Sequence, residues 1–172
     1  MSKYTEVVDA VHASQTKWSD FRDRCWWNLS TLYREFVTYC EIPRDAIKLT
    51  PTDKEPEENT TYALSGAVHF GEDGYWHLGI LIILAPQRIL IEFCLTEKDG
   101  KLHVRAGSGK GRPIDMTRAA DRDAFYDEVV DDIKRYFADE PDFHESQATK
   151  RIGFGVENGE ESAPAQARAA TA

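Results

Sequence analysis

The chain has 172 residues, 41% apolar and 11% aromatic, enough to fill the core of one ordinary domain and too much for a disordered chain. Its 30 acidic side chains against 21 lysines and arginines leave a formal charge of −9. That field repels nucleic acid and anionic membrane and favours a basic protein surface as partner.

Cys25, Cys40 and Cys94 are odd in number, widely spaced and set in apolar stretches, the pattern of free buried thiols in a reducing compartment. The opening residues Met1-Ser2-Lys3-Tyr4-Thr5-Glu6 carry no apolar export signal. The longest apolar run, Leu78 to Pro86, is about half of the ~18 residues that a membrane helix needs. The expectation is a cytoplasmic protein without a membrane segment.

From Val7 to Tyr39 apolar residues recur at Val7, Val11, Trp18, Phe21, Cys25, Leu29, Leu32 and Phe36, the spacing of an amphipathic helix. It is either one long helix or a pair broken near Ser14-Gln15-Thr16, with Thr16 as the second cap. Trp26, Trp27 and Tyr33 widen the stripe, which predicts packing on a broad apolar surface. Pro43 bars continuation of the helix.

Residues 50 to 61 hold two prolines, four acids and no apolar side chain, the composition of an exposed loop. Four strand-like runs follow, at Tyr62 to Phe70, Tyr75 to Leu84, Ile89 to Thr96 and Lys101 to Ala106. Gly71-Glu72-Asp73-Gly74, Ala85-Pro86-Gln87-Arg88 and Asp99-Gly100 separate them as hairpin turns. A second helix is predicted over Ala119 to Ala138, with acids early and Lys134 and Arg135 late, as the helix dipole favours. Glu140-Pro141 ends it.

The expected fold is therefore α+β: a four-stranded antiparallel meander at roughly residues 61 to 107, with a long N-terminal helix or helix pair and a C-terminal helix on one face. Residues 1–158 form the domain, and 159–172, small and polar, form a disordered tail. Phe143, Ile152 and Phe154 either add a final strand or pack as an extension.

Alternation along the strands sorts side chains onto two faces. One carries Val68, Phe70, Trp76, Leu78, Ile80, Ile82, Ile89, Ile91, Phe93, Leu95 and Val104, and both helices can cover it. Pairing Trp76 with Phe70, Ile89 with Leu84 and Leu102 with Glu97 keeps this set together. The second face then has His69, His77, Thr96 and His103 in one row, and Gly79, Cys94 and Arg105 in the next. Leu81, Ile83 and Leu90 lie toward its other end.

Strands ~4.8 Å apart would let His69 and His77 reach one ion, with Asp73 as the nearest carboxylate, but His103 stands two strands further on. No His-Glu-x-x-His or paired-cysteine spacing is present, so neither a metal nor another cofactor is expected. Half-exposed sheet faces commonly carry histidines for no chemical reason.

Gly107-Ser108-Gly109-Lys110-Gly111-Arg112 has the composition of an anion-binding loop but not the P-loop pattern, and it also suits a plain strand-to-helix connection. Ser65, Ser108 and Cys94 lack the setting of activated nucleophiles. The reading with most support is a non-catalytic protein-binding domain of accessory, inhibitor, immunity or chaperone type. It would engage another protein, or itself as a homodimer, through its acidic surface or second sheet face. The residues expected to touch a partner or ligand are His69, His77, Thr96, His103, Arg105, Lys110 and Arg112. The alternative is a small metal- or phosphate-binding enzyme built on the histidine face and the basic loop.

Overall fold

A computed structural model describes residues 2–57, 59–139 and 149–153. The expected tail from 159, the Glu140-Pro141 stop, and Phe143 and Phe154 lie outside them. The fold is α+β, with a long N-terminal helix, an antiparallel sheet and a C-terminal helix.

Helix α1 (Lys3–Tyr39) is continuous over 37 residues, about 55 Å at 1.5 Å per residue. Ser2 caps it, its hydroxyl accepting from the Thr5 N–H at 3.2 Å. The helix stops before Pro43. Cys40 donates its N–H to the Phe36 carbonyl, and Glu41 turns the chain away at φ 52°. A short 3-10 turn (Arg44–Ala46) leads into β1 (Ile47–Thr50).

The stretch expected as a strand from Tyr62 to Phe70 is instead a single helical turn, α2 (Leu64–Ala67), followed by a three-residue strand, β2 (Val68–Phe70). Ala63-Leu64-Ser65-Gly66-Ala67 is built of residues with weak strand preference, and the Ala67 N–H closes a helical bond to the Ala63 carbonyl at 3.1 Å. Tyr62, ahead of the turn, and Leu64, within it, still pack against the core.

β3 (Trp76–Leu84), β4 (Gln87–Lys98) and β5 (Lys101–Ala106) form the expected meander. Around it stand β1, β2, β6 (Arg112–Ile114) and β7 (Lys150–Arg151), making seven strands rather than four. The path runs β1-β3-β4-β5-β6, with β2 on β3 and β7 parallel to β4. The β4–β5 turn has positive φ at both Asp99 (52°) and Gly100 (71°), as a type I′ hairpin requires. α3 (Ala119–Asp139) closes the described helices.

The core lies on the predicted face. Cys25, Leu29, Leu32 and Phe36 of α1, with Phe125, Tyr126 and Val129 of α3, pack on Leu78, Ile80, Ile91, Phe93, Leu95 and Val104. Three polar ties orient the helices. Arg24 grips Glu97 on β4 through Nε (2.9 Å) and Nη2 (3.2 Å). Arg122 and the Tyr126 hydroxyl of α3 donate to Glu35 of α1 at 2.5 and 3.1 Å. Tyr39 donates to Asp127 at 2.5 Å.

The pairing of β3 with β4 departs from expectation. Leu84 stands opposite Gln87, and Ile89 opposite Ile82 rather than Leu84. The turn uses two residues, Ala85 and Pro86, instead of four, so β4 slides by two positions. A slide of two leaves every side chain on its face but changes which residues share a row.

Candidate functional site

The row across the second face is His69, His77, Cys94 and Arg105, from the successive pairings of β2, β3, β4 and β5. Thr96 and His103 pair with each other one row on, away from His77. Glu92, opposite Gly79, fills the row on the other side.

His77 is the centre of the group. Its Nδ1 lies 2.9 Å from Glu92 Oε1 and 3.4 Å from Cys94 Sγ, and its Nε2 lies 2.9 Å from Asp73 Oδ1. Asp73 comes from the β2–β3 turn, where it also accepts the Tyr75 N–H at 3.1 Å and pairs with Arg105 Nη2. The Arg105 guanidinium lies over the Tyr75 ring, 4.6 Å from its centroid. The His69 ring stacks on His77 at 5.0 Å and 16°. Two glycines make room. A Cβ on Gly71 would stand 2.5 Å from His77 Nε2, and one on Gly79 would strike the Thr50 carbonyl and the Thr52 methyl.

The group is substantially buried: side-chain exposure is 12% for His77, 8% for Glu92 and 17% for Arg105, against 37% for Asp73. Burial lowers the His77 pKa, but hydrogen bonds and charge from Glu92 and Asp73 outweigh it and hold the imidazolium form above its usual range. Burial would raise Glu92 and Asp73, yet the bonds they accept, from His77 first, hold both below the usual carboxylate range. Burial, joined by the charge of His77, pushes His69 down.

Cys94, His77 and Asp73 follow the thiol–imidazole–carboxylate order of nucleophilic catalysis. Burial and the neighbouring Glu92 push the Cys94 thiol up, the opposite of activation, and Cys94 has no exposed surface to meet a substrate. The three ligand atoms of His77, Glu92 and Cys94 lie within 4.8 Å of one another, close enough to hold one metal ion.

The remaining expected residues lie apart. Lys110 is exposed in the loop between β5 and β6. Arg112, opposite Val104 in register, faces the helices and bonds Glu128 of α3 at 3.2 Å. Arg112 is thus turned away from the histidines, whereas the loop begins against them, with the Gly107 carbonyl accepting from the Cys94 thiol at 3.8 Å. Leu81 and Leu90 are buried within the chain, at 2% and 0% exposure, so this end of the second face is not an open apolar surface.

Glu92 was absent from the expected set because β4 reads as a continuous apolar strand. The available signal was the charge itself, a lone carboxylate in Ile-Leu-Ile-Glu-Phe-Cys-Leu that needs a partner once buried. Comparison with known protein families, with curated proteins and with solved structures returns no match to this chain.

Proposed function

We propose that the chain is a non-catalytic protein-binding domain whose partner docks on the N-terminal half of α1. The observation that carries this reading is the way a single stripe on that helix changes environment. At 100° per residue, Tyr4, Val7, Val11, Trp18, Phe21, Cys25, Leu29, Leu32 and Phe36 fall within an arc of about 100°. The last four are buried. Tyr4, Val7, Val11 and Trp18 are 78, 62, 49 and 46% exposed.

The projecting stripe meets the sheet at an aromatic cluster. Trp18 lies 5.1 Å from Phe70 and 5.8 Å from Trp76, ring to ring, and Phe70 is itself 41% exposed. Aromatic side chains at the edge of an apolar strip are typical anchors of a protein interface. Trp27, on the opposite side of α1, is 68% exposed under Arg34. No helix among the described residues is long and apolar enough to cross a membrane, so a lipid span does not account for the strip.

The test is affinity capture and sedimentation of the full chain beside the Val7→Glu/Val11→Glu variant. A partner or a dimer lost in the variant supports the reading. A wild-type chain that is monomeric and captures no protein, or binding indifferent to the two substitutions, refutes it. An enzyme acting on phosphorylated substrates has less support, since Arg112 is turned toward α3 and paired with Glu128 rather than with the histidine cluster.

A further inference from the structure

Glu92 sits at the middle of an otherwise apolar strand with 8% of its side chain exposed, and a carboxylate stays ionised there only with partners. Its partners include His77, the hydroxyl of Thr52 and the Cys94 thiol. An ionic chain Glu92–His77–Asp73–Arg105 gives little stability that well-packed apolar residues would not give as well. A fully buried thiol in the same cluster serves neither a salt bridge nor a substrate.

We propose that His77 Nδ1, the Glu92 carboxylate and Cys94 Sγ form a binding site for a zinc ion. Mixed sulfur, nitrogen and oxygen ligation suits zinc and disfavours magnesium and calcium, which take oxygen ligands. Around a tetrahedral ion with bonds of about 2.0 to 2.3 Å, ligand atoms stand about 3.3 to 3.6 Å apart. The present separations of 2.9 Å (His77 to Glu92) and 3.4 Å (His77 to Cys94) need only a small widening as the ion replaces the protons between them.

The surroundings match those of a ligating histidine. With Nδ1 on the metal, Nε2–H donates to Asp73, which is held in turn by Arg105 and the Tyr75 N–H, the carboxylate support that orients an imidazole ligand. Zinc with one carboxylate and one thiolate is neutral, and so is the Asp73–Arg105 pair. Three protein ligands leave a fourth position for water. His69 Nδ1, on the ring stacked over His77, is buried and without a hydrogen-bond partner among the described residues. Burial of Cys94 keeps a substrate out but does not bar an ion that enters past the half-exposed Asp73 turn.

Loading balances as an exchange: zinc enters, and the imidazolium proton at Nδ1 and the thiol proton leave to solvent, about two protons per ion. The centre is independent of the α1 docking strip and is tested separately. The full chain is stripped with a chelator, titrated with Zn²⁺ against a chromophoric chelator of micromolar affinity, and titrated in parallel with Co²⁺ in weakly buffered solution. One equivalent of each metal, about two protons released, and a thiolate-to-cobalt absorption band are expected.

The band should disappear in Cys94→Ser, survive in Cys40→Ser, and zinc affinity should fall at least about tenfold in Glu92→Gln. Circular dichroism checks that each variant is folded, and the wild-type band with its proton count tests the centre even if Cys94→Ser does not fold. The proposal is overturned if the wild-type chain fails to compete for zinc, releases no protons, or gives no thiolate band. A band that survives in folded Cys94→Ser also overturns it.

Discussion

Cys94 stands opposite His77 across the β3–β4 ladder, with Sγ 3.4 Å from Nδ1, while the other ring nitrogen is 2.9 Å from Asp73. The thiol and the carboxylate thus approach the imidazole from opposite ends. Glu92, one row along on the same strand as Cys94, shares the Nδ1 side. This crowding of one nitrogen by two potential ligands separates the cluster from an ordinary histidine ion pair.

The two halves of α1 should respond differently to substitution. Phe36, 1% exposed and in ring contact with Phe93 and Tyr126, should cost about 3 to 5 kcal/mol when changed to alanine. Val11→Ala, on the projecting half, should stay within about 0.5 kcal/mol of wild type. Urea denaturation of the two variants decides; equal losses would mean that the projecting half is packed in solution.

In the metal-free chain the stability contributed by His77, Glu92 and Asp73 should be complete at mildly acidic pH. His77 faces Glu92 and Cys94 from β4, Asp73 from the turn and His69 from β2, with Arg105 behind Asp73. Its folded pKa is raised, so its contribution is complete below the unfolded value of 6.5 and is lost as pH rises through the folded value. Glu92 and Asp73 are depressed, so theirs is complete above the unfolded values of 4.5 and 3.8 and is lost as pH falls through the folded ones. The contribution of these three groups is therefore complete between about pH 4.5 and 6.5, and the depressed pKa of His69 works against it below 6.5. In an NMR titration the His77 midpoint should exceed 6.5 and should drop in Asp73→Asn; an unchanged midpoint would mean that Asp73 does not support the imidazolium.

Removing Glu92 should be costly in the metal-free chain. Glu92→Ala leaves the buried His77 with one carboxylate and an unfilled space, a loss of about 3 kcal/mol. Glu92→Gln keeps an oxygen in place and should cost less. Comparable denaturation midpoints for Glu92→Ala and wild type would show that the pair carries no weight in the fold.

Gly71→Ala should act on the cluster without replacing any of its side chains. The added Cβ would lie 2.5 Å from His77 Nε2 and 2.6 Å from Asp73 Oδ1, so one of the two must move. Destabilisation of about 1 to 3 kcal/mol and a shifted His77 titration are the expected results. A variant with wild-type stability and titration would place His77 elsewhere in solution.

Thiol chemistry provides a check on burial. Burial pushes the Cys25 thiol up to about 12 and raises Cys40 and Cys94 as well. Alkylation at pH 8 should be slow for Cys25 and Cys94 in the native chain, faster at half-buried Cys40, and rapid for all three in denaturant. Fast native labelling of Cys94 would contradict its burial.

α1, α3 and the β3–β5 meander were legible because each repeats its period long enough to be distinctive. β1, β6 and β7, at four, three and two residues, carry no period, and they exist because neighbouring edges pair with them. The stripe of α1 was legible too, but not the point at which it leaves the sheet: Leu29 and Val11 are equivalent on the helix and differ only in what the tertiary fold sets against them.

By itself, the amino-acid sequence determined which face of the sheet each strand residue occupies, since alternation in polarity has a period of two. It did not determine the row. A pattern of period two is unchanged when a strand slides by two residues, so His77 opposite Thr96 and His77 opposite Cys94 satisfy it equally. The two-residue turn at Ala85 and Pro86 made that choice, and with it brought a thiol, a buried carboxylate and an imidazole to one place.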